Sequence, residues 1–273
     1  MKLYRTTESI LLERDGSFFK MQSQWDDLIC DPQLMERLRD VQTQQETQAP
    51  DPSTLVAPIA NQEVWAAGVT YFKSREARME ESKDAGGDSF YDRIYDAVRP
   101  EIFFKATGRR VVGPGGAVRV RSDASWSVPE PELTLVINPR GELIGYTIGN
   151  DMSSRDIEGE NPLYLPQAKI YDGSCALGPC ILITSQLLSS QTRIAIQISR
   201  ASDTAFSGET TLAGLKRTPQ ELIEFLYRDN SFPHGAFLMT GTGIIPDDKF
   251  TLVKGDNIKI SIDGIGTLEN YVL

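Results

Sequence analysis

Polar and apolar residues alternate at period two along Glu132–Asn138 (ELTLVIN), which predicts a β-strand with one face turned toward a core. Asn138-Pro139-Arg140-Gly141 follows, a combination that favours a turn, and ELIGYTIGND after it predicts the returning strand. Similar runs dominate from Ile102 to Ile183, with a second turn at Gly113-Pro114-Gly115-Gly116. Helical signals are sparser. Thr218-Pro219-Gln220-Glu221 offers an N-cap, a proline at the first helical position and a glutamate at the third, ahead of LIEFLY. Asp31-Pro32 predicts another helix start, with Asp31 as N-cap. The C-terminal stretch from Phe250 predicts three short strands joined by turns at Lys254-Gly255-Asp256 and Asp263-Gly264. No βαβ alternation appears, so the pattern predicts an α+β, mainly β fold.

Residues 1–58 form a small N-terminal domain and linker in this reading. Positions 41–58 are rich in Gln, Thr and Pro without a period. Residues 59–273 form the main domain, its β pattern beginning near Val64. Between Ser74 and Val98 the chain is charged and helical in character, broken at Ala85-Gly86-Gly87-Asp88. That segment reads as a lid or as a plain exposed helical hairpin.

With 273 residues, 40% apolar and 24% charged, the chain has the composition of a soluble globular enzyme. A net charge of −10 argues against nucleic acid or an anionic membrane as partner. No apolar run reaches the roughly 18–20 residues of a membrane span, and the N-terminus lacks the apolar core of a secretory signal. Cys30, Cys175 and Cys180 are odd in number and form no CxxC pair, which fits free thiols in a reducing cytoplasm.

The chemistry concentrates in the predicted hairpin. Glu130 and Glu132 project from one face of the first strand, because side chains alternate. If Pro139 and Arg140 are the two turn residues, Asn138 faces Gly141, Glu130 faces Gly149, and Asp151 lies diagonally across from Glu130, roughly 7–8 Å away. Three carboxylates so close repel, and at least one loses its charge unless a cation sits among them. All-oxygen donors suit a hard divalent ion, Mg²⁺ with Mn²⁺ or Ca²⁺ as alternatives, and not zinc. Glu130, Glu132 and Asp151 are therefore the expected metal ligands.

Gly68-Val69-Thr70-Tyr71, Phe103-Phe104-Lys105, Glu130-Pro131-Glu132-Leu133 and Gly145-Tyr146-Thr147-Ile148-Gly149-Asn150-Asp151 stand in a fixed order along the chain. Ser154-Arg155-Asp156, Lys169, Leu177-Gly178-Pro179, Gly241-Thr242-Gly243 and Gly266-Thr267-Leu268 continue that order. In these landmarks the chain, from about residue 61 onward, resembles the fumarylacetoacetate hydrolase family. The resemblance implies a mixed β-roll with a small N-terminal domain. It also implies Mg²⁺ or Ca²⁺ on the same three carboxylates, a homodimer or homotetramer, and substrates that are 2-oxo acids or 1,3-dicarbonyls.

Departures from the family pattern decide the expected reaction. Many family hydrolases carry Asn-Tyr-x-x-His-x-x-Glu, whose His and Glu activate water. Here Ser74 replaces the His and Ala77 the Glu, and the single histidine, His234, lies far along the chain. Arg75-Glu76-Ala77-Arg78, the run Arg99 to Thr107 and the run Ile157 to Lys169 resemble the branch of the family that dehydrates 2-keto-3-deoxy sugar acids. The expected activity is thus a metal-dependent dehydratase acting through an enolate, with C–C hydrolysis of acylpyruvates or other 1,3-dicarbonyl acids as the alternative. Glu101 and Lys169 are the candidate proton-handling pair, Lys169 in charged form. Arg75 and Lys105 could pair with the substrate carboxylate, or could be a lid charge and a solvated strand end. Thr242 could offer a hydroxyl and loop amides to an oxyanion. Arg155-Asp156 is expected to support the ligand carboxylates from behind.

Overall fold

A computed structural model describes residues 1–40, 45–71 and 95–273. The expected lid up to residue 94, with its glycine break, Ser74, Ala77 and Arg75, lies outside the described residues. In chain order the elements begin with β1 (Lys2–Arg5), β2 (Ile10–Arg14), β3 (Ser17–Met21), α1 (Trp25–Cys30), α2 (Leu34–Arg39) and β4 (Gln45–Thr47). Next come β5 (Glu63–Gly68), β6 (Glu101–Thr107), β7 (Ala117–Val118), β8 (Ser127–Ile137), β9 (Leu143–Ser154), α3 (Arg155–Glu160) and α4 (Leu165–Lys169). The chain finishes with β10 (Cys175–Ile183), β11 (Arg193–Arg200), β12 (Asp203–Thr211), α5 (Pro219–Tyr227), β13 (Ala236–Met239), β14 (Asn257–Ile262) and β15 (Gly266–Val272).

Ten strands form one sheet in the order β4-β3-β2-β1-β10-β9-β8-β13-β5-β6, and five form a second, β12-β11-β14-β15-β7. The mixture is real, since β13 runs parallel to β5 and β15 parallel to β7 among otherwise antiparallel pairs. β8 shows how the layers assemble. Leu133, Leu135 and Ile137 join the core that contains Ile194, Ile196, Ile198 and Ile260 of the smaller sheet. Val136, on the opposite face, joins a second core with Leu28, Ile29, Leu34 and Leu38 of the N-terminal helices. Both faces are covered, and all eleven residues of β8 are buried. Any charge carried there is taken out of water.

The predicted hairpin forms, but its register differs from the two-residue turn expected. Gly141 adopts φ +75°, its N–H donates to Asn138 O, and Asn138 N–H donates to Glu142 O. The loop is thus one residue longer, with glycine in the left-handed position. A bulge between Val136 and Ile137 adds a second residue to the offset. Glu130 therefore faces Asp151 directly, and Glu132, not Glu130, faces Gly149. A shift of two residues preserves face parity, so the carboxylates still share one side of the sheet.

Other local expectations divide. Thr218 caps α5 by accepting from Glu221 N–H at 3.2 Å, with Pro219 in the first turn. Asp31 is not the cap of the helix it precedes. That helix starts at Leu34, and Asp31 instead closes the gap after α1 by accepting from Gln33 N–H. Of three expected C-terminal strands two form. The chain at Leu252 bonds outward to Ser127 O, so it has no ladder partner of its own sheet to extend. Cys175 and Cys180 are buried fillers, and the three cysteines are free thiols.

Candidate metal and catalytic centre

Residues directly opposed in an antiparallel pair bring their Cβ atoms to about 4.5–5.5 Å. The pairing of Glu130 with Asp151, with Glu132 one pleat along, gathers three carboxylates whose candidate ligand oxygens lie within 4.8 Å of one another. Their residues are only 5%, 2% and 1% exposed for Glu130, Glu132 and Asp151. The cleft above them is lined also by Gly68, Phe103, Lys169 and Gly241-Thr242.

Cations reach the cluster from three segments. Arg155, at the start of α3, donates from Nη2 to Glu130 Oε1 at 2.6 Å. Lys169, at the end of α4, donates to Glu130 Oε2 at 2.6 Å and to Asp151 Oδ2 at 3.1 Å. Lys105 on β6 pairs with Asp151 Oδ1. The excursion from β9 through α3 and α4 is thus clasped at both ends by one carboxylate. Glu132 is held differently, by the backbone N–H of Gly241 at 2.5 Å. Burial first, then the charges of Asp151 and Glu130, push its carboxyl well above the ordinary value of 4.5, against the opposing pull of Lys169 and the Gly241 amide. Protein cations therefore answer much of the repulsion inferred from sequence, and Glu132 is where a further positive charge has most to offer. The donor set is buried, gathered and entirely oxygen, and it fits a hard divalent ion.

Gly241 is fixed by this arrangement. It adopts φ +89°, and a Cβ there would lie 1.9 Å from Thr70 Oγ1 and 3.0 Å from Ala67 O. Gly241→Ala is expected to cost about 1–3 kcal/mol from backbone conformation alone. The same variant should lower Mg²⁺ affinity, because the amide that orients Glu132 moves. Urea unfolding and calorimetric titration measure the two effects separately.

Glu101 lies on β6 opposite Gly68, and its Oε2 would be 2.0 Å from a Cβ at that glycine. Its carboxylate therefore lies over the cleft wall, on a backbone that only glycine leaves uncovered. Thr242 lines the cleft, but its hydroxyl exchanges hydrogen bonds with Ile244 O and Ile244 N. Lys105 is no solvated strand end. It is fully buried, and its ammonium donates to Met152 O at 3.0 Å and Lys169 O at 2.5 Å and forms an ion pair with Asp151. Arg155 and Asp156 part company: Arg155 touches Glu130, whereas Asp156 accepts from Ser125 N and Oγ and braces a loop. His234 is half-exposed, 3.9 Å from Asp26, at the far end of β13 from Gly241. Glu158 escaped notice in the sequence. It is 1% exposed and accepts from Ser153 Oγ at 2.8 Å, yet Ile157-Glu158-Gly159-Glu160 looks like a solvated run.

The chain belongs to the fumarylacetoacetate hydrolase family: the model of the fumarylacetoacetate (FAA) hydrolase C-terminal domain matches residues 64–273. Within that family it is 47% identical over 216 residues to a probable 2-keto-3-deoxyxylonate dehydratase of Haloferax volcanii, covering 79% of this chain and 73% of the relative. It is 45% identical to the 2-dehydro-3-deoxy-D-arabinonate dehydratase of Saccharolobus solfataricus, covering 78% of this chain and 72% of that one. A solved structure of 2-keto-3-deoxy-D-arabinonate dehydratase complexed with magnesium and 2,5-dioxopentanoate superposes with TM-score 0.85 at 34% identity. That match covers all of this chain and 98% of the other. No helix of the described residues is long and apolar enough to cross a membrane.

Proposed function

We propose that this protein is a Mg²⁺-dependent dehydratase that eliminates water from a 2-keto-3-deoxy sugar acid such as 2-keto-3-deoxy-arabinonate. One observation carries the reading. The cleft gathers three buried carboxylates with Lys169 in hydrogen-bond contact, while the chain's single histidine stands elsewhere, beside Asp26. Relatives that are 45–47% identical and named as 2-keto-3-deoxy acid dehydratases support the substrate class.

Glu130, Glu132 and Asp151 would hold the ion. When bound, a divalent cation supplies Lewis-acid polarisation of a 2-oxo group, which acidifies the hydrogens on C3. The remaining work falls to side chains. Glu101, over the cleft wall at Gly68, takes or returns the proton at C3. Lys169, in contact with Glu130 and Asp151, assists departure of the C4 hydroxyl as water. Elimination removes one hydrogen from C3 and the hydroxyl from C4 as water, leaving a C3=C4 double bond conjugated to the 2-oxo group. A proton then leaves C5 and one returns to C3, and the resulting C4=C5 enol tautomerises, with protonation at C4, to 2,5-dioxopentanoate. Thr242 offers its backbone to substrate oxygens, and Arg75 pairs with the substrate carboxylate. Hydrolysis would need water activated by a base of the kind that Ser74 and Ala77 replace. In the same reading the enzyme works in the cytoplasm, supported by free thiols, and as a homodimer or homotetramer, supported by the family resemblance.

Incubation with 2-keto-3-deoxypentonates and Mg²⁺ is expected to yield 2,5-dioxopentanoate, followed by chromatography or by coupling to an aldehyde dehydrogenase. Brisk cleavage of acylpyruvates, with no turnover of any 2-keto-3-deoxy acid, would replace this reading with the hydrolase.

A further inference from the structure

Lys105 leaves the strand ladder. β5 and β6 pair as Val64 with Ala106 and then Trp65 with Phe104, so Lys105 is the extra residue of a β-bulge. Bulges re-aim side chains and recur beside active sites. Here the side chain is fully buried and its ammonium has three protons to give. It donates to Met152 O and Lys169 O and forms an ion pair with Asp151 Oδ1, an oxygen that accepts no hydrogen bond among the described residues. Two of these belong to the end of β9, and the third is the last carbonyl of α4, whose own side chain reaches Glu130 and Asp151.

Burying an ammonium costs several kcal/mol before its partners repay it, and an apolar residue of similar volume would often serve stability as well. A charge retained at this depth therefore points to a role beyond packing. Its three polar contacts show what that role can be. One joins Lys105 to a carboxylate of the cluster, and another to the main chain that delivers Lys169. Lys105 is 0% exposed and does not line the cleft, so its ammonium faces Asp151 and two main-chain carbonyls rather than a substrate carboxylate.

We propose that Lys105 is a positioning residue: from beneath the cleft it sets the Asp151 carboxylate and the main chain at Lys169 in mutual register, without touching substrate. The inference rests on the reading above, in which Lys169 handles protons and Asp151 holds the ion. Displacing a reacting group by about 1 Å costs on the order of 100-fold in rate. Lys105→Met is therefore expected to lower kcat by about 100-fold while KM stays near that of the unmodified enzyme. The electron paramagnetic resonance spectrum of bound Mn²⁺ should also change, because the orientation of Asp151 changes.

A raised KM with kcat preserved would overturn the inference in favour of a substrate contact, and so would unchanged kinetics with an unchanged Mn²⁺ spectrum. Should Lys105→Met fail to fold, Lys105→Gln keeps two N–H donors for the carbonyls of Met152 and Lys169 and carries the same measurements. A crystal structure of the unmodified enzyme with Mg²⁺ and 2,5-dioxopentanoate tests the point independently of any variant. The ammonium should keep its two carbonyl acceptors and its ion pair with Asp151, and a ligand oxygen within hydrogen-bond distance of Lys105 Nζ would refute the proposal. If the unmodified enzyme dehydrates no 2-keto-3-deoxy acid, the functional reading fails by itself, while the Mn²⁺ spectra still report whether Lys105 orients Asp151.

Discussion

Glu132→Gln is expected to abolish turnover while leaving the metal-free fold as stable as before, or more so. The glutamine has the same shape, and its carbonyl oxygen can still accept from Gly241 N–H. What disappears is a charge that burial, Asp151 and Glu130 all disfavour. The sign with pH follows from the direction of that shift. A carboxyl whose folded value lies above its unfolded one contributes its full stability below about 4.5 and loses it as pH rises through the folded value. Metal-free protein should therefore lose stability as pH climbs above the ordinary glutamate range, and the variant should lose less. Added Mg²⁺ reverses the comparison, since a ligand that binds only the folded state stabilises it in proportion to its occupancy. Melting curves across pH, with and without Mg²⁺, read both effects. Substantial activity in Glu132→Gln would contradict a metal-centred reaction.

Lys169→Met separates chemistry from metal binding. Removing one member of a buried ion pair can cost about 3–5 kcal/mol. Here the loss should be smaller, because Glu130 keeps Arg155 and Asp151 keeps Lys105. The protein is expected to fold and to bind Mg²⁺ at least as tightly, with one competing positive charge gone from between two carboxylates. Turnover should nevertheless fall by about 10²–10⁴-fold, the usual size of a lost acid–base group. Calorimetry that finds Mg²⁺ binding intact beside a dead enzyme would match this expectation. A variant that turns over normally would remove Lys169 from the reaction.

The two variants fail in opposite ways because the cleft contains two kinds of carboxylate. Glu130 and Asp151 each have cationic partners from the protein, whereas Glu132 rests on a backbone amide. Sequence spacing treats the three alike. It could not do otherwise, since the cations arrive from β6, α3 and α4, which the chain folds back over long separations.

Parity explains how much was legible. Alternation along ELTLVIN told which side chains share a face, and because parity survives a shift of two residues, the carboxylate trio could be foreseen from a hairpin whose register was misjudged. The capping signal at Thr218 was equally local and equally legible. Gly241 stood among the family landmarks, but its task, delivering an amide to Glu132 past Thr70 and Ala67, needs three segments at once. Lys105 stood among the landmarks too, as a candidate for the substrate carboxylate, and Glu158 in a matched run, but the burial and partners of neither can be read in one dimension. By itself, then, the sequence determined the strands, their faces, the acidic trio and the family, because each depends on periodicities and residue types a few positions apart. The tertiary structure alone decided that Lys105 sits in a bulge, buried beneath the cleft, and that Glu132, among the described residues, lacks the ion pairs of its neighbours, because charges are paired by distance in space, and distance between remote segments is set by how the sheets close.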